Sequence, residues 1–105
     1  MYYTLVGKTS IAASSALEWG RWFQEADRVV KRTKIGEANV STVFLGLDHQ
    51  FGDGPPLLFE TLIFGGERDG DMWRYSTWDE AEAGHDKVVA ELMASPPIAA
   101  ESSRR

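Results

Sequence analysis

Two histidines and a scatter of carboxylates are the side chains here best suited to hold a metal or to move a proton near neutral pH. They are densest in Asp48-His49-Gln50-Phe51-Gly52-Asp53-Gly54-Pro55-Pro56. Turn formers dominate that run, and two stiffening prolines close it. A loop of this kind on a rigid scaffold suits recognition, with Asp48, His49, Phe51 and Asp53 as its binding residues. The bland alternative is structural, with Asp48 capping backbone amides and Phe51 tucked into the core. Asp48, His49 and Asp53, joined by His85, could also be drawn as a metal site of a small hydrolase or nucleotide-processing enzyme. No H-x-H or H-x-x-x-H spacing supports that drawing. His85 falls on the apolar stripe of a helix, which reads as a core or interface histidine. No metal, no cofactor and no catalytic residue is assigned.

Other chemistry is thinner still. Glu60 interrupts an apolar segment with Leu58, Leu62 and Phe64, so its carboxylate needs a partner such as Arg74. Ser, His and Asp are present without a G-x-S-x-G elbow. The glycine clusters match neither the P-loop nor the dinucleotide fingerprint. Trp73, Arg74 and Tyr75 form an alternative binding patch. Two rings flank a guanidinium just before a helix start, where amides can receive an anion.

These residues need elements to position them. Tyr2 to Ala12 is rich in strand formers, with Gly7-Lys8 as a turn, and reads as a strand or hairpin. Ser15-Ala16-Leu17-Glu18 has the form of a capping box. Trp19, Trp22, Phe23, Ala26, Val29 and Val30 recur at helical spacing, which predicts a helix to about Lys34, ended by Gly36. Val40–Leu47 and Leu57–Phe64 read as an antiparallel pair, with Leu47 facing Leu57, Leu45 by Phe59 and Val43 by Thr61. Both faces of that ribbon carry apolar side chains. Helices can cover one, which leaves the other for a further element or a second copy. Gly65–Asp71 reads as a turn. Thr77-Trp78-Asp79-Glu80 is a second capping box, opening a helix to about Met93 that Pro96-Pro97 stops. The expectation is an α+β domain over residues 1–95, with a flexible tail at 96–105. Its antiparallel sheet has three to four strands packed with two helices, in the order β(β)-α-β-β-α.

Composition sets limits on partners. The chain has 105 residues, 43% of them hydrophobic, which suits one domain with one core. Absence of cysteine removes disulfides, thiol nucleophiles and zinc–thiolate sites. No apolar run approaches the ~20 residues of a membrane span, and no secretory leader pattern opens the chain. A cytoplasmic location is the default expectation. The net charge of −5 argues against direct nucleic-acid binding. Charge is also uneven: residues 1–36 hold six basic and three acidic side chains, residues 37–91 three basic and twelve acidic.

The string Val40-Ser41-Thr42-Val43-Phe44-Leu45-Gly46-Leu47-Asp48-His49, continuing through Phe51-Gly52 and Gly54-Pro55-Pro56-Leu57-Leu58-Phe59-Glu60-Thr61, resembles a family of small uncharacterised phage and prophage proteins. Arg74-Tyr75-Ser76-Thr77-Trp78-Asp79-Glu80-Ala81-Glu82-Ala83-Gly84-His85 is similar to the same family's second signature. The likeness covers about residues 40–85. It implies a phage setting in a bacterial host cell and supplies no catalytic residues. By analogy, a short phage protein without enzyme motifs is an accessory or counter-defence protein. The expected partner is a host protein or a small nucleotide signal, and the expected assembly a homo-oligomer. A phage structural or morphogenesis component is the remaining alternative.

Overall fold

A computed structural model describes residues 1–49 and 52–94. Phe51, the Pro96-Pro97 stop and the expected tail lie outside the described residues. β1 (Tyr3–Val6) and β2 (Thr9–Ala12) form the opening hairpin around Gly7-Lys8 as a two-stranded sheet. Ser15 caps α1 (Ala16–Glu25), its hydroxyl accepting from the Glu18 amide at 3.1 Å. The Glu18 carboxylate reaches back one residue further than a capping box requires. It accepts from the Ser14 amide at 2.6 Å and the Ser14 hydroxyl at 2.7 Å.

The helix expected to continue to Lys34 ends nine residues earlier, and Val29–Ile35 is a strand, β3. The Asp27 carboxylate accepts from the Val29 amide at 3.1 Å, so a local turn replaces the next helical bond. Beyond it, Val29, Val30, Thr33 and Ile35 are β-branched and stiff, which favours extended backbone. Gly36, at φ 58, and Glu37 then turn the chain into β4 (Ala38–Phe44). Only a residue at ease with positive φ suits that corner. β5 (Phe59–Phe64) and β6 (Met72–Tyr75) complete an antiparallel meander in the order β3-β4-β5-β6. α2 (Trp78–Ala94) follows. The α+β class stands, with six strands among the described residues where the sequence reading allowed three to four.

The β4–β5 register differs by one residue from the expected one. Phe44 faces Phe59, Val43 faces Glu60 and Thr42 faces Thr61. β4 stops at Phe44, and Leu47 bridges to Tyr2 of the opening hairpin instead of facing Leu57. A one-residue shift reassigns cross-strand partners along the whole ribbon. Here it sets two threonines side by side on the face under α2.

Among the described residues, the elements that cover the four-stranded sheet lie on that face. Val88 of α2, with half-buried Val89 and Leu92, packs on Ala38, Val40, Ile63 and Trp73. Phe44, Leu58, Phe59 and Ala81 form a second cluster, roofed by Tyr3, Leu5, Trp22, Val30, Tyr75 and Trp78. Its rings meet edge to face, with centroids at 5.7 Å for Trp22–Phe44, 5.1 Å for Phe44–Phe59 and 6.2 Å for Phe59–Trp78. α1 rides at the edge of this roof with no fully buried residue. The Tyr75 ring occupies the space where a Cβ on Gly84 would stand, so α2 comes down close on β6 at that point.

Candidate functional site

Strand alternation decides what each candidate residue can reach. On the covered face, His85 of α2 is fully buried. Its Nε2 lies 2.8 Å from Thr33 Oγ1 and its Nδ1 2.7 Å from Thr42 Oγ1. Thr42 Oγ1 is in turn 2.6 Å from Thr61 Oγ1. The network therefore crosses from β3 to β5 beneath the helix. Burial, helped by the Lys31 cation and opposed by Asp86, holds His85 below the ordinary imidazole pKa. Burial likewise raises the Tyr75 phenol, opposed by the Thr61 hydroxyl. Both imidazole nitrogens are engaged, and a neutral ring donates from one and accepts at the other. His85 is a core histidine, turned away from His49 and the loop carboxylates.

The loop keeps its base closed. Asp48 Oδ1 accepts from the Leu57 amide at 3.1 Å, and the His49 amide donates to the Leu57 carbonyl at 3.1 Å. Asp48 thus caps backbone, as its structural reading anticipates. His49 is half-buried and Asp53 exposed. Among the described residues no three His, Asp or Glu side chains gather as a metal site.

The Trp73-Arg74-Tyr75 patch is divided between the two faces. Trp73 packs with the cluster under α2, and the Arg68 guanidinium lies 5.4 Å from its ring centroid. Tyr75 points to the same side. Arg74 points to the other and pairs with Glu60 at 3.1 Å, which meets the need seen for that carboxylate. The α2 N-terminus is occupied by its own cap. Thr77 Oγ1 accepts from the Glu80 amide at 3.1 Å, while Glu80 Oε1 accepts from the Ser76 and Thr77 amides at 3.2 Å each. Trp73 lies in β6, a strand too short to show periodicity in the sequence.

The opposite face of the sheet carries what sequence reasoning missed. No described element covers it. Arg32 and Lys34 of β3, Asn39 and Ser41 of β4 and Phe64 of β5 line a groove of about 410 Å³ there, together with Thr33 and Val40. Val43, Leu62 and Met72 continue the surface, and Phe64 and Met72 are 51% and 47% exposed. Arg32 Nε donates to Ser41 Oγ at 3.4 Å, which leans the guanidinium over the face. Neither Arg32 nor Lys34 has a carboxylate partner among the described residues, whereas Lys31, Arg68 and Arg74 all do. The signal was the alternation Arg32-Thr33-Lys34. It has meaning only once residues 29–35 are read as a strand.

Comparison with family models, with curated proteins and with solved structures finds no match. No helix among the described residues is long and apolar enough to cross a membrane.

Proposed function

We propose that this protein acts by binding, as a phage accessory or counter-defence protein in an infected bacterial cell. Its working surface is the open face of the four-stranded sheet. One observation carries the reading. The covered face joins Thr33, His85, Thr42 and Thr61 in one internal hydrogen-bonded chain, whereas the open face combines exposed apolar Phe64 and Met72 with two cations that have no carboxylate partner among the described residues. Aromatic, Met and Arg side chains together are what recognition surfaces favour. The acidic α2, with Asp79, Glu80, Glu82, Asp86 and Glu91 against Lys87 alone, lies on the other side. The open face thus sets two cations beside exposed apolar surface, which suits an anionic region of a host component.

The experiment is affinity capture from host lysate with wild type and a Phe64→Ser/Met72→Ser double variant. Both residues are about half exposed, so the variant should fold and lose the captured component. If it captures the same component while a His49→Ala/Asp53→Ala variant does not, the working surface is the loop. On the same reading, the expected homo-oligomer contact is assigned to Val43, Leu62 and Met72, beside the Phe64 groove on that face. Light scattering of wild type against Leu62→Arg tests that. A dimer unaffected by Leu62→Arg places the contact elsewhere.

A further inference from the structure

We infer that the groove between β3 and β5 is a site for a small nucleotide, with its phosphate on Arg32 and Lys34 and its base on the Phe64 ring. The inference rests on reading the open face as the working surface and names the ligand class for it. Register puts Lys34, Asn39 and Phe64 in one row across three strands, and Arg32, Ser41 and Leu62 in the next row that faces the same way. Adjacent strands lie about 4.8 Å apart, so cation and ring stand roughly 10 Å apart at the backbone, with amide and hydroxyl between them. That is the layout of a nucleotide. A charged group sits at one end, a flat ring at the other, and a sugar with hydrogen-bonding hydroxyls joins them.

Each position supplies what its part of the ligand needs. Arg32 uses one of its five N–H donors on Ser41 and keeps the planar fork that suits phosphate. Lys34 adds a point charge on the same side of the strand. Among the described residues no carboxylate neutralises either, in a protein whose overall charge is −5. Asn39 and Ser41 can donate and accept toward a sugar. Phe64 is 51% exposed, and a half-open ring is a stacking platform that any base can use. The groove of about 410 Å³ falls within the roughly 300–1,000 Å³ usual for small-molecule sites. A polynucleotide suits it less. Two free cations neutralise a phosphate or two, and the acidic remainder of the chain repels a long polyanion.

Isothermal titration with ribonucleoside 5′-mono-, di- and triphosphates tests this, with free nucleosides, inorganic phosphate and a short single-stranded RNA as comparison probes. At least one nucleotide should bind about tenfold or more tightly than its nucleoside or phosphate alone, since stacking and phosphate contacts add. Phe64→Ala should weaken that nucleotide about tenfold with the melting temperature kept. Arg32→Ala and Lys34→Ala should weaken it and flatten its salt dependence, whereas Lys87→Ala on α2 should leave it unchanged. No nucleotide binding by wild type, phosphate binding as tightly as any nucleotide, or unchanged affinity in Phe64→Ala each overturns the site. RNA binding more tightly than every mononucleotide overturns the small-ligand class. If nucleotides fail while Phe64→Ser/Met72→Ser still loses its captured component, this inference falls and the binding reading stands. If both fail, both fall.

Discussion

The two faces of one sheet handle polar side chains in opposite ways. Beneath α2, Thr33, His85, Thr42 and Thr61 hydrogen-bond one another in a chain. On the reverse, Arg32, Lys34, Asn39 and Ser41 come from the same strands and, among the described residues, pair with no carboxylate. Period-two alternation along β3 and β4 deals residues to one side or the other. The contrast teaches that a polar residue in a strand is assigned its role by its face. Turned inward it specifies packing, and turned outward it is available for recognition.

Substitution tests the contrast most sharply in the aromatic residues of β5. Phe59 is fully buried and Phe64 half exposed, five residues apart on opposite sides. Phe59→Ala should cost about 3–5 kcal/mol, much of a small domain's stability, and Phe64→Ala less than about 1 kcal/mol. Urea denaturation of both measures it, and equal losses would mean that the reverse face is also core.

Next in size is the buried network. Thr42→Val removes the partner of His85 Nδ1 and of Thr61, at a cost of about 1–3 kcal/mol. The same network predicts a pH dependence. The folded state holds His85 below its usual 6.5, through burial and Lys31, with Asp86 opposing. Stability is therefore complete above that value and declines as pH falls below it toward the folded pKa, because the unfolded chain takes the proton first. Denaturation midpoints between about pH 7.5 and pH 5.5 should fall in wild type, and much less in His85→Gln. A fall of the same size in His85→Gln would mean that another group titrates.

Trp22→Ala should cost about 2 kcal/mol, below the full-burial range, because α1 only half-covers its side chains. A loss matching that of Phe59→Ala would make α1 as central as the sheet. The smallest effect belongs to the loop. His49→Ala with Asp53→Ala should shift stability by no more than about 0.5 kcal/mol each, read as melting temperature. Unfolding of that pair would return the loop to a structural role.

Much of the fold was legible because its signals are local. The capping boxes at Ser15 and Thr77, the hairpin around Gly7, the Glu60–Arg74 pair and the inward His85 each follow from a few neighbouring residues. β3 was hidden by coincidence. Val29 and Val30 prolong the helical spacing of Trp19 and Trp22, and only the Asp27 turn and the β-branched run tell otherwise. The β4–β5 register was ambiguous because Leu45 and Leu47 are as apolar as Phe44, so either alignment pairs hydrophobic residues. The open-face groove was lost with β3. Arg32 and Lys34 fall outside the apolar stripe of the imagined helix and share a side only in a strand.

Gly84 has a consequence for what this chain can tolerate. Its neighbour His85 must sit low enough to touch two threonines at 2.7 and 2.8 Å, and the Tyr75 ring already fills the gap beneath position 84. An alanine there would gain about 1 kcal/mol of helix propensity. It would also act as a shim, lifting that turn of α2 off β6 and pulling the imidazole from its hydroxyls. Position 84 is thus a built-in spacer of zero thickness, and the helix accepts a poor helix former in its interior so that the residue beside it can reach the sheet.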